Sequence, residues 1–483
     1  MYAHETHIHH LQMTYIIKNR IFLNRILVIS FLFFSSCYSQ KDKVTKPNFI
    51  LILTDDQSWV GTSFLADPND SRSKSDYYQT PNMERLARSG IRMTNGYAPA
   101  PFCSPTRKSI LTGLNPAKHE YQKDRKNWTQ AFRKQLTIPK ILKIADSSYV
   151  TAHYGKWDAR YDDFTPEEMG YDFSDGLTSN NTGGGKKTLN QNGIDLPFKM
   201  GEAWPKAYDD PKLIFSLTQR SIEFIEEQFK NNNPFFIQIS YYAVHLAITY
   251  SEKKFLKYDK LDRGKKHFVS EFAAMTEDMD EGIGLLLDKL VSLGINENTY
   301  IIFMSDNGGR TSIPIGPEQK VPRNFPLRGG KGSMYEGGLR VPFVISGPGV
   351  SKNTYSHVPV TGLDILPTLA RLAGYDGPLP KILDGGNIAS LIHNEGRGSI
   401  DRKSPYLIFH QAANRKPISA IRWENYKLVK DWRYNSIELF DLSKDLEEKE
   451  DLSNKMPELV KKLEKALIGY INQANAETKR TEI

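Results

Sequence analysis

The chain has 483 residues, of which 39% are hydrophobic and 25% are charged, and it carries a formal net charge of +8. This length allows two or three domains, or one large domain with an appendage, and the aromatic content of 11% argues against a disordered chain. The only two cysteines, Cys37 and Cys103, exclude a framework of several disulfides and a zinc cluster held by cysteines alone. The fold therefore depends on the packing of its core.

Residues 1–36 have the composition of a secretory signal. A stretch with three basic residues at 18–25 precedes an apolar run at 26–34, which is too short for a membrane-spanning helix. The two serines before Cys37 make this segment similar to a bacterial lipoprotein cleavage site, in which the cysteine becomes the lipidated first residue. We therefore expect an exported protein, periplasmic or on the cell surface. Two fates of Cys37 remain open: lipidation, which would attach the protein to a membrane, or removal with the signal.

From residue 46 onward, strand and helix patterns alternate. Residues 48–54 form a continuous apolar run followed by two acids, which is typical of a strand buried on both faces. Thr80 and Pro81 are suited to the N-cap and first turn of a helix that Gly90 would end. The pattern predicts an α/β fold with a large mixed, mostly parallel sheet flanked by helices. Further strands are predicted at residues 234–240, 299–305 and 341–346, and a long amphipathic helix between Phe272 and Gly294.

The pattern changes after about residue 395. We expect a main domain over residues 46–395 and a small C-terminal α+β subdomain over residues 396–483, in which a helix from Pro457 packs on an antiparallel sheet. Residues 177–197, rich in Asn, Gly and Thr, are predicted to form a long loop. The strands expected in the subdomain lie at residues 406–409, 419–423, 426–429 and 438–440.

Oxygen-bearing side chains follow two of the predicted strands. Asp55 and Asp56 come directly after the first strand, and Asp306 and Asn307 follow the strand at 299–305. Ligand sites gather at the carboxyl ends of strands in such sheets, and carboxylate and amide oxygens suit calcium or magnesium, whereas zinc would call for His or Cys. Each pair alone is also a common turn sequence, but their joint placement favours a metal site.

A second set of functional groups lies in the segment Pro101-Phe-Cys-Ser-Pro-Thr-Arg107. Ser104 is suited to cap a helix and Pro105 to occupy its first turn, which would place Cys103 at the helix N-terminus. Unpaired backbone N–H groups and the helix dipole favour an anion there, and Arg107 would add a charge-assisted fork one turn later. The alternative is that Cys103 is only a small buried apolar residue, which is common for a free cysteine.

The segment Cys103-Ser-Pro-Thr-Arg107, followed by Thr112-Gly113, resembles the signature of type I sulfatases, in the form whose cysteine is oxidised by an enzyme to formylglycine. The similarity covers roughly residues 46–475. It implies the alkaline-phosphatase-like fold and the hydrolysis of sulfate esters. Other segments typical of the family occur in order at residues 80–87, 155–157, 305–309, 328–332, 336–342 and 438–442.

The resemblance also implies a mechanism and its residues. Formylglycine at Cys103 would be hydrated to a diol; one hydroxyl would attack sulfur and expel the alcohol, and deprotonation of the other would then release sulfate. Fixed cations would stabilise the charge that develops on the sulfate oxygens. Arg107 would contact formylglycine, Lys156 and Lys331 would bind the sulfate, and His245 would protonate the leaving alcohol. A divalent cation, usually calcium, would be held by Asp55, Asp56, Asp306, Asn307 and the modified Cys103.

Two positions depart from the family pattern. The family segment at residues 155–157 normally runs Gly-Lys-Trp-His, and its histidine assists release of sulfate. This chain has Asp158 after Trp157. Asp158 could act as the base itself, orient His153 or another group, or mark a lost step; we expect an active variant, because every other part of the pattern is present. The proline that commonly flanks the histidine is missing beside His245.

Two other functions remain open from the sequence. A phosphoester hydrolase of the same superfamily would share the fold, but such enzymes typically use Ser or Thr or a two-zinc site, which Cys103 and the histidine-poor metal set do not match. A non-catalytic glycan-binding homologue is suggested only by Asp158. Export and positive charge favour a bacterial enzyme acting on a sulfated polysaccharide or oligosaccharide, with small aryl sulfates left open as substrates. A formylglycine-generating maturation enzyme is the other expected partner. Nucleic acid is not an expected partner, since no nucleic-acid-binding motif occurs.

Overall fold

The computed structural model describes residues 46–123, 130–158, 164–180, 182–183, 188–189, 195–196, 205–413 and 416–478. From Pro47 onward the described residues form one compact unit. The signal predicted at residues 1–36 and Cys37 lie outside the described residues, so export and lipidation stay predictions. Within the described part of the chain, no helix combines the length and apolarity that crossing a bilayer requires.

A mixed eight-stranded sheet forms the centre of this unit, in the order β13-β2-β12-β11-β1-β9-β4-β5. Neighbouring strands are parallel except at β12, which runs antiparallel to both β11 and β2. The predicted mixed, mostly parallel sheet is thereby confirmed. The strands in chain order are β1 (Asn48–Thr54), β2 (Gly90–Met93), β3 (Gly96–Tyr97), β4 (Val150–Gly155), β5 (Phe173–Ser174), β6 (Thr188–Leu189), β7 (Asp195–Leu196), β8 (Lys206–Ala207), β9 (Phe235–Ser240), β10 (Thr249–Tyr250), β11 (Thr299–Ser305), β12 (Phe343–Ser346), β13 (Thr354–Ser356), β14 (Val360–Thr361), β15 (Leu407–Gln411), β16 (Ile418–Trp423), β17 (Tyr426–Asp431) and β18 (Ser436–Asp441).

The apolar run of β1 is explained by its central position between β11 and β9. Ile50 and Ile52 face one hydrophobic core, whereas Phe49, Leu51 and Leu53 face the other. Because alternate side chains of a strand point to opposite faces, a strand covered on both sides must be apolar throughout. The prediction at 48–54 is confirmed to the residue, as is that of β11; β9 and β12 begin one and two residues later than predicted.

Helices cover both faces of the sheet. The long helix predicted between Phe272 and Gly294 is α6, and its stripe of apolar side chains lies in the core. The helix expected to end at Gly90 is α1, but Gly90 opens β2 directly afterwards. A Cβ atom at Gly90 would lie 2.1 Å from the carbonyl oxygen of Ile345, so a close approach of two strands requires this glycine. The α-helices are α1 (Pro81–Arg88), α2 (Cys103–Thr112), α3 (Ile138–Ala145), α4 (Ile214–Lys230), α5 (Glu252–Tyr258), α6 (Ser270–Ser292), α7 (Glu336–Leu339), α8 (Ile365–Leu372), α9 (Ala389–Ile392) and α10 (Pro457–Gln473).

A separate four-stranded antiparallel sheet, β15 to β18 in chain order, forms the C-terminal part. Helix α10 packs Leu463, Leu467 and Ile471 against it, into a core that includes Ile421 and Leu428. The predicted α+β character is confirmed, whereas the boundary at residue 395 stays a prediction. Short two-stranded sheets complete the fold: β3 with β14, β8 with β10, and β6 with β7 inside the predicted loop at 177–197, much of which lies outside the described residues.

Candidate active site

The four predicted metal ligands meet at the carboxyl ends of β1 and β11. These strands are parallel neighbours in register, so the residues after them leave the sheet at the same edge. The backbone N–H of Asp56 donates to Oδ1 of Asp306 at 3.2 Å, and Nδ2 of Asn307 donates to Oδ1 of Asp56 at 2.8 Å. With Asp55, all four side chains are buried.

Cys103 is the first residue of α2, a helix whose ten residues are all buried. The predicted position of Cys103 at a helix N-terminus is thereby confirmed. Ser104 is not the cap: Phe102 precedes the helix in extended conformation, and its carbonyl accepts the N–H of Thr106 at 3.3 Å, so the helix has already begun at Cys103. The hydroxyl of Ser104 is instead buried with no hydrogen-bond partner among the described residues.

Arg107 joins α2 to the ends of two strands. Its Nε and Nη2 donate to Oδ2 of Asp306 at 3.0 and 2.7 Å, and its Nη1 donates to the carbonyl oxygen of Lys156 at 2.7 Å. A guanidinium that donates three hydrogen bonds to fixed acceptors is rigid. Arg107 therefore fixes the carboxylate of Asp306 and the backbone after β4 relative to Cys103.

Two lysines contact the paired aspartates. Lys156 follows β4, and its Nζ lies 2.5 Å from Oδ2 of Asp55. Lys331 reaches the site from the loop before α7, and its Nζ lies 2.5 Å from Oδ1 of Asp56. Burial opposes the charge on each amine, but the aspartates outweigh it and raise the pKa of both lysines. Two fixed ammonium groups therefore face the site, as the binding of a sulfate would require.

The charges of the site control the ionisation of its acids. Burial alone would raise the pKa of Asp55 and Asp56, but the neighbouring cations, Lys156 and Lys331 first among them, hold the pKa of each below its usual range. Burial and the nearby carboxylate of Asp158 raise the pKa of Cys103 to about 12. The thiol is therefore protonated at neutral pH, and an unmodified cysteine here is a poor nucleophile.

Several buried oxygen atoms of the site lack hydrogen-bond partners among the described residues: Oδ1 of Asp55, Oδ2 of Asp56 and Oδ1 of Asn307. Such orphaned oxygens are costly unless something else binds them. Ligand atoms of Asp55, Asp56 and His245 also lie within 4.8 Å of one another. The residues therefore fit a cation, and the predominance of carboxylate and amide oxygen fits a hard divalent ion.

His245 lies beside the paired aspartates, with Nε2 at 3.8 Å from Oδ2 of Asp56. Its Nδ1 is bonded to the carbonyl oxygen of Leu246, so Nδ1 carries a proton and Nε2 faces the site. Burial lowers the pKa of His245 to about 4, against the opposing effect of Asp55. The imidazole is therefore neutral at pH 7 until an anion or proton donor reaches it.

Asp158 occupies the position of the family's histidine and lies in the site. Its Oδ2 is 3.6 Å from Nζ of Lys156, and only 3% of the residue is exposed. Its backbone is left-handed, with φ of 56°, and its N–H donates to the carbonyl of Thr178 at 2.9 Å. His153, the residue that Asp158 could orient, is buried with Nε2 at 3.2 Å from Oγ of Ser240, and burial lowers its pKa to about 3.

One further cation near the site had no signal in the sequence. Lys212 precedes α4, is 2% exposed and has a left-handed backbone, with φ of 54°. Burial lowers its pKa to about 8, while the charges of Asp55 and Asp56 act in the opposite direction. Because Lys212 is far from every family segment in the chain, only a three-dimensional structure could place it here.

All ten predicted site residues thus lie in one buried region. Their contacts agree with the roles implied by the sequence, although those roles stay predictions.

Comparisons with known proteins identify the class of enzyme. The family model described as "Sulfatase" matches residues 47–375, and one described as "N-sulphoglucosamine sulphohydrolase, C-terminal" matches residues 330–473.

Individual relatives agree with the family match. The chain is 30% identical to a sulfatase of Formosa agariphila over 92% of both chains, and 27% identical to an ulvan-active sulfatase of the same organism over 76% of this chain and 70% of the relative. The crystal structure of Ps i-CgsB superimposes with a TM-score of 0.69 and 25% identity, over 88% of this chain and 93% of that one. The chain therefore belongs to the sulfatase family. It is a sulfuric ester hydrolase, and the family match favours this activity over the two other functions left open by the sequence.

Proposed function

We propose that this sulfatase acts through formylglycine made from Cys103, with a divalent cation, calcium by its oxygen ligands, and that its substrate is a sulfated polysaccharide or oligosaccharide. The observation that carries the proposal is the position of Cys103, at the start of a buried helix and beside unpartnered oxygens and fixed cations. When present, formylglycine supplies the nucleophile that the protonated thiol of Cys103 does not. A maturation enzyme would have to supply this modification.

The chain's own residues would bind and orient the sulfate. Asp55, Asp56, Asp306 and Asn307 would hold the cation, which would add positive charge against the sulfate oxygens. Lys156 and Lys331 would contact those oxygens, because their ammonium groups already face the site. Arg107 would keep α2 and Asp306 in place, through its three hydrogen bonds.

Two residues would move protons. His245 presents Nε2 to the site and would protonate the departing alcohol, since a bound sulfate anion favours its charged form. Asp158 would take the proton whose removal releases sulfate, in place of the family's histidine. Its pairing with Lys156 keeps it close to Cys103.

The role of Asp158 is tested by two substitutions. Asp158→Asn keeps the shape but removes the base, and we expect kcat to fall by about 10²–10⁴-fold, as for loss of a general base. Asp158→His restores the family residue and should recover part of that loss. Unchanged turnover by Asp158→Asn on the best substrate would remove Asp158 from the mechanism.

The polysaccharide substrate rests on charge and on relatives. One relative is named an ulvan-active sulfatase and another, from Homo sapiens, an N-acetylgalactosamine-6-sulfatase with 28% identity over 71% of this chain and 65% of the relative. The formal net charge is +8 for the whole chain and becomes +8 − 3 + 1 = +6 once residues 1–36 are removed, and this positive charge favours an anionic polymer. Export, to the periplasm or the cell surface, would bring the enzyme to such polymers, and lipidation of Cys37 would hold it on a membrane. Mass spectrometry of the mature N-terminus tests both ideas: an intact residue 1 contradicts export, and an absent or unmodified Cys37 contradicts lipidation.

The proposal is tested by release of sulfate or phosphate from a panel of defined sulfated oligosaccharides, small aryl sulfates and matching phosphate esters. We expect at least one sulfated sugar to be hydrolysed, and Cys103→Ala to lose at least about 10⁴-fold in kcat, as for loss of a covalent nucleophile. Retained activity in Cys103→Ala would overturn the proposed chemistry. Hydrolysis confined to aryl sulfates would overturn the proposed substrate.

A further inference from the structure

A second candidate binding site is a cleft of about 640 Å³ in the C-terminal part of the molecule. It lies between α10, the residues leading into β15 and the segment that follows α2. None of the ten predicted active-site residues lines it. Helix α2 separates the two sites, because Cys103 is its first residue, whereas Asn115 and Lys118, which line the cleft, follow its last. Ten helical residues span about 15 Å.

The cleft is strongly basic. Of the described residues that line it, only Asp384 is acidic, and this carboxylate is already bonded to Nζ of Lys118 at 2.7 Å and to the hydroxyl of Tyr470 at 3.0 Å. No acidic side chain among the described residues pairs with the other four lysines. The five lysines and one aspartate therefore give the cleft a net charge of +4. The five lysines are Lys118, Lys381, Lys403, Lys462 and Lys465.

Apolar and aromatic side chains also line the cleft. Leu383 and Leu407 are buried, and Tyr406 and Tyr470 are half-buried. Tyrosine rings offer an apolar surface together with a polar tip, and ligand sites generally combine an apolar surface with a few placed polar groups. The cleft thus fits a ligand with apolar faces and several negative charges, which describes a sulfated sugar chain.

We propose that this basic cleft binds a sulfated polysaccharide at a position separate from the active site. The inference rests on the proposed function for the class of polymer, but not for the site itself. A polymer held in the cleft has a raised effective concentration at the active site on the same molecule. A sulfated glycan is favoured over a nucleic acid because the chain is a sulfatase and its sequence contains no nucleic-acid-binding motif.

Binding is tested with dextran sulfate, with unsulfated dextran and duplex DNA as comparison polymers. Affinity electrophoresis of the full chain carrying Cys103→Ala avoids hydrolysis during the measurement. The test variant is Lys381→Glu/Lys465→Glu, which reverses two exposed charges that line the cleft, one in a loop and one on α10. The matched control is Lys230→Glu/Lys352→Glu, which reverses two exposed charges that do not line it.

We expect dextran sulfate to retard the protein and unsulfated dextran to have no effect. The cleft variant should weaken binding of dextran sulfate at least about tenfold. The control should stay within about twofold, because salt screens charges that lie away from the bound polymer. Equal loss in both variants would overturn the proposal. Retardation by duplex DNA as strong as that by dextran sulfate would also overturn it, in favour of general polyanion binding.

Kinetics separate this inference from the proposed function. In the chain with Cys103 intact, the cleft variant should raise KM for a sulfated polymer that the enzyme hydrolyses while leaving kcat, and the turnover of a small sulfated sugar, unchanged. If the cleft variant and the control variant have the same KM for the polymer, the proposal that the cleft binds substrate is overturned. If the wild-type chain hydrolyses no sulfated sugar, the proposed function is contradicted instead. Binding in the cleft is then tested by electrophoresis alone.

Discussion

Two of the buried charge clusters in the described part of the chain differ in whether their polar atoms are satisfied. The active-site cluster places three carboxylates against Arg107, Lys156 and Lys331. The second cluster, built around Glu336, joins α7 to the C-terminal sheet. Buried oxygens lack partners in the first cluster, whereas no buried side-chain nitrogen or oxygen of the second lacks one within the described residues.

The contacts of the second cluster are all short. Glu336 accepts from Nζ of Lys427 at 2.9 Å, from Nε of Arg340 at 2.7 Å and from the hydroxyl of Tyr97 at 2.8 Å. Glu448 accepts from the same lysine at 2.9 Å and from the N–H of Glu336 at 2.7 Å. The Glu-Gly-Gly-Leu-Arg segment of the family is therefore structural in this chain. It ties the C-terminal sheet to the part of the fold that carries Lys331.

The difference indicates what each cluster is for. A satisfied buried ion network contributes to a unique packing and has nothing left to offer a ligand. A cluster with orphaned oxygens and concentrated charge stays costly until it binds something, as expected of a functional site. Substitutions in the first cluster should therefore reduce activity, and those in the second should reduce stability.

The largest expected effect is that of Asp56→Asn in the active site. Removal of this carboxylate should lower kcat by about 10³-fold or more, because it takes away a cation ligand and the partner of Lys331. Calcium should raise the Tm of chelator-treated wild-type protein but not that of the variant. Asp288→Asn, at a carboxylate that is 67% exposed, is the control and should behave as wild type. A folded, fully active Asp56→Asn would contradict the functional reading of this cluster.

The second cluster should respond through stability. Lys427→Met leaves Glu336 and Glu448 buried without the cation between them, and we expect a loss of about 3–5 kcal/mol in the free energy of unfolding. Denaturant titration measures this loss, and kcat of the folded variant should stay close to that of wild type. Lys444→Met, at a side chain that is 83% exposed, should leave stability nearly unchanged. Equal stability of the two variants would refute a structural role.

A smaller effect concerns the pH dependence of stability. Burial and the charge of Glu336 raise the pKa of Glu448 to about 7, although Lys427 opposes them. Because the folded state holds this proton more firmly than the unfolded chain does, its stabilising contribution is present at pH 4.5 and is lost as pH rises to about 7, by up to about 1.4 kcal/mol per pH unit. Glu448→Gln should flatten this slope in denaturant titrations between pH 5 and 8. If the stability of Glu448→Gln changes with pH as steeply as that of the wild type, the raised pKa of Glu448 is contradicted.

Much of the fold could be predicted because local patterns coincide with burial. β1 and β11 are apolar along their whole length since both faces are covered, and their ends locate Asp55 and Asp306. The apolar stripe of α6 likewise coincides with side chains that are buried in the core. Local sequence predicts that Gly90 ends a helix. It does not reveal the close approach of Gly90 to Ile345, because that contact involves a strand 255 positions later in the chain.

The site was predicted to the extent that its residues lie in family segments. Ser104 was expected to cap α2, a role that the extended backbone of Phe102 makes unnecessary. The position of Lys212 near the site and the pairing of Glu336 with Lys427 could not be foreseen. Both depend on contacts between distant parts of the chain. Long-range contacts between charged groups leave no periodic signal.

The catalytic chemistry proposed for this sulfatase depends on the conversion of Cys103 into formylglycine. Mass spectrometry of the peptide containing Cys103, from protein made in a cell with the maturation system, tests it most directly. We predict that the peptide carries an aldehyde in place of the thiol, and that the modified fraction equals the active fraction of the preparation. A fully unmodified thiol in protein that still releases sulfate would contradict a formylglycine mechanism.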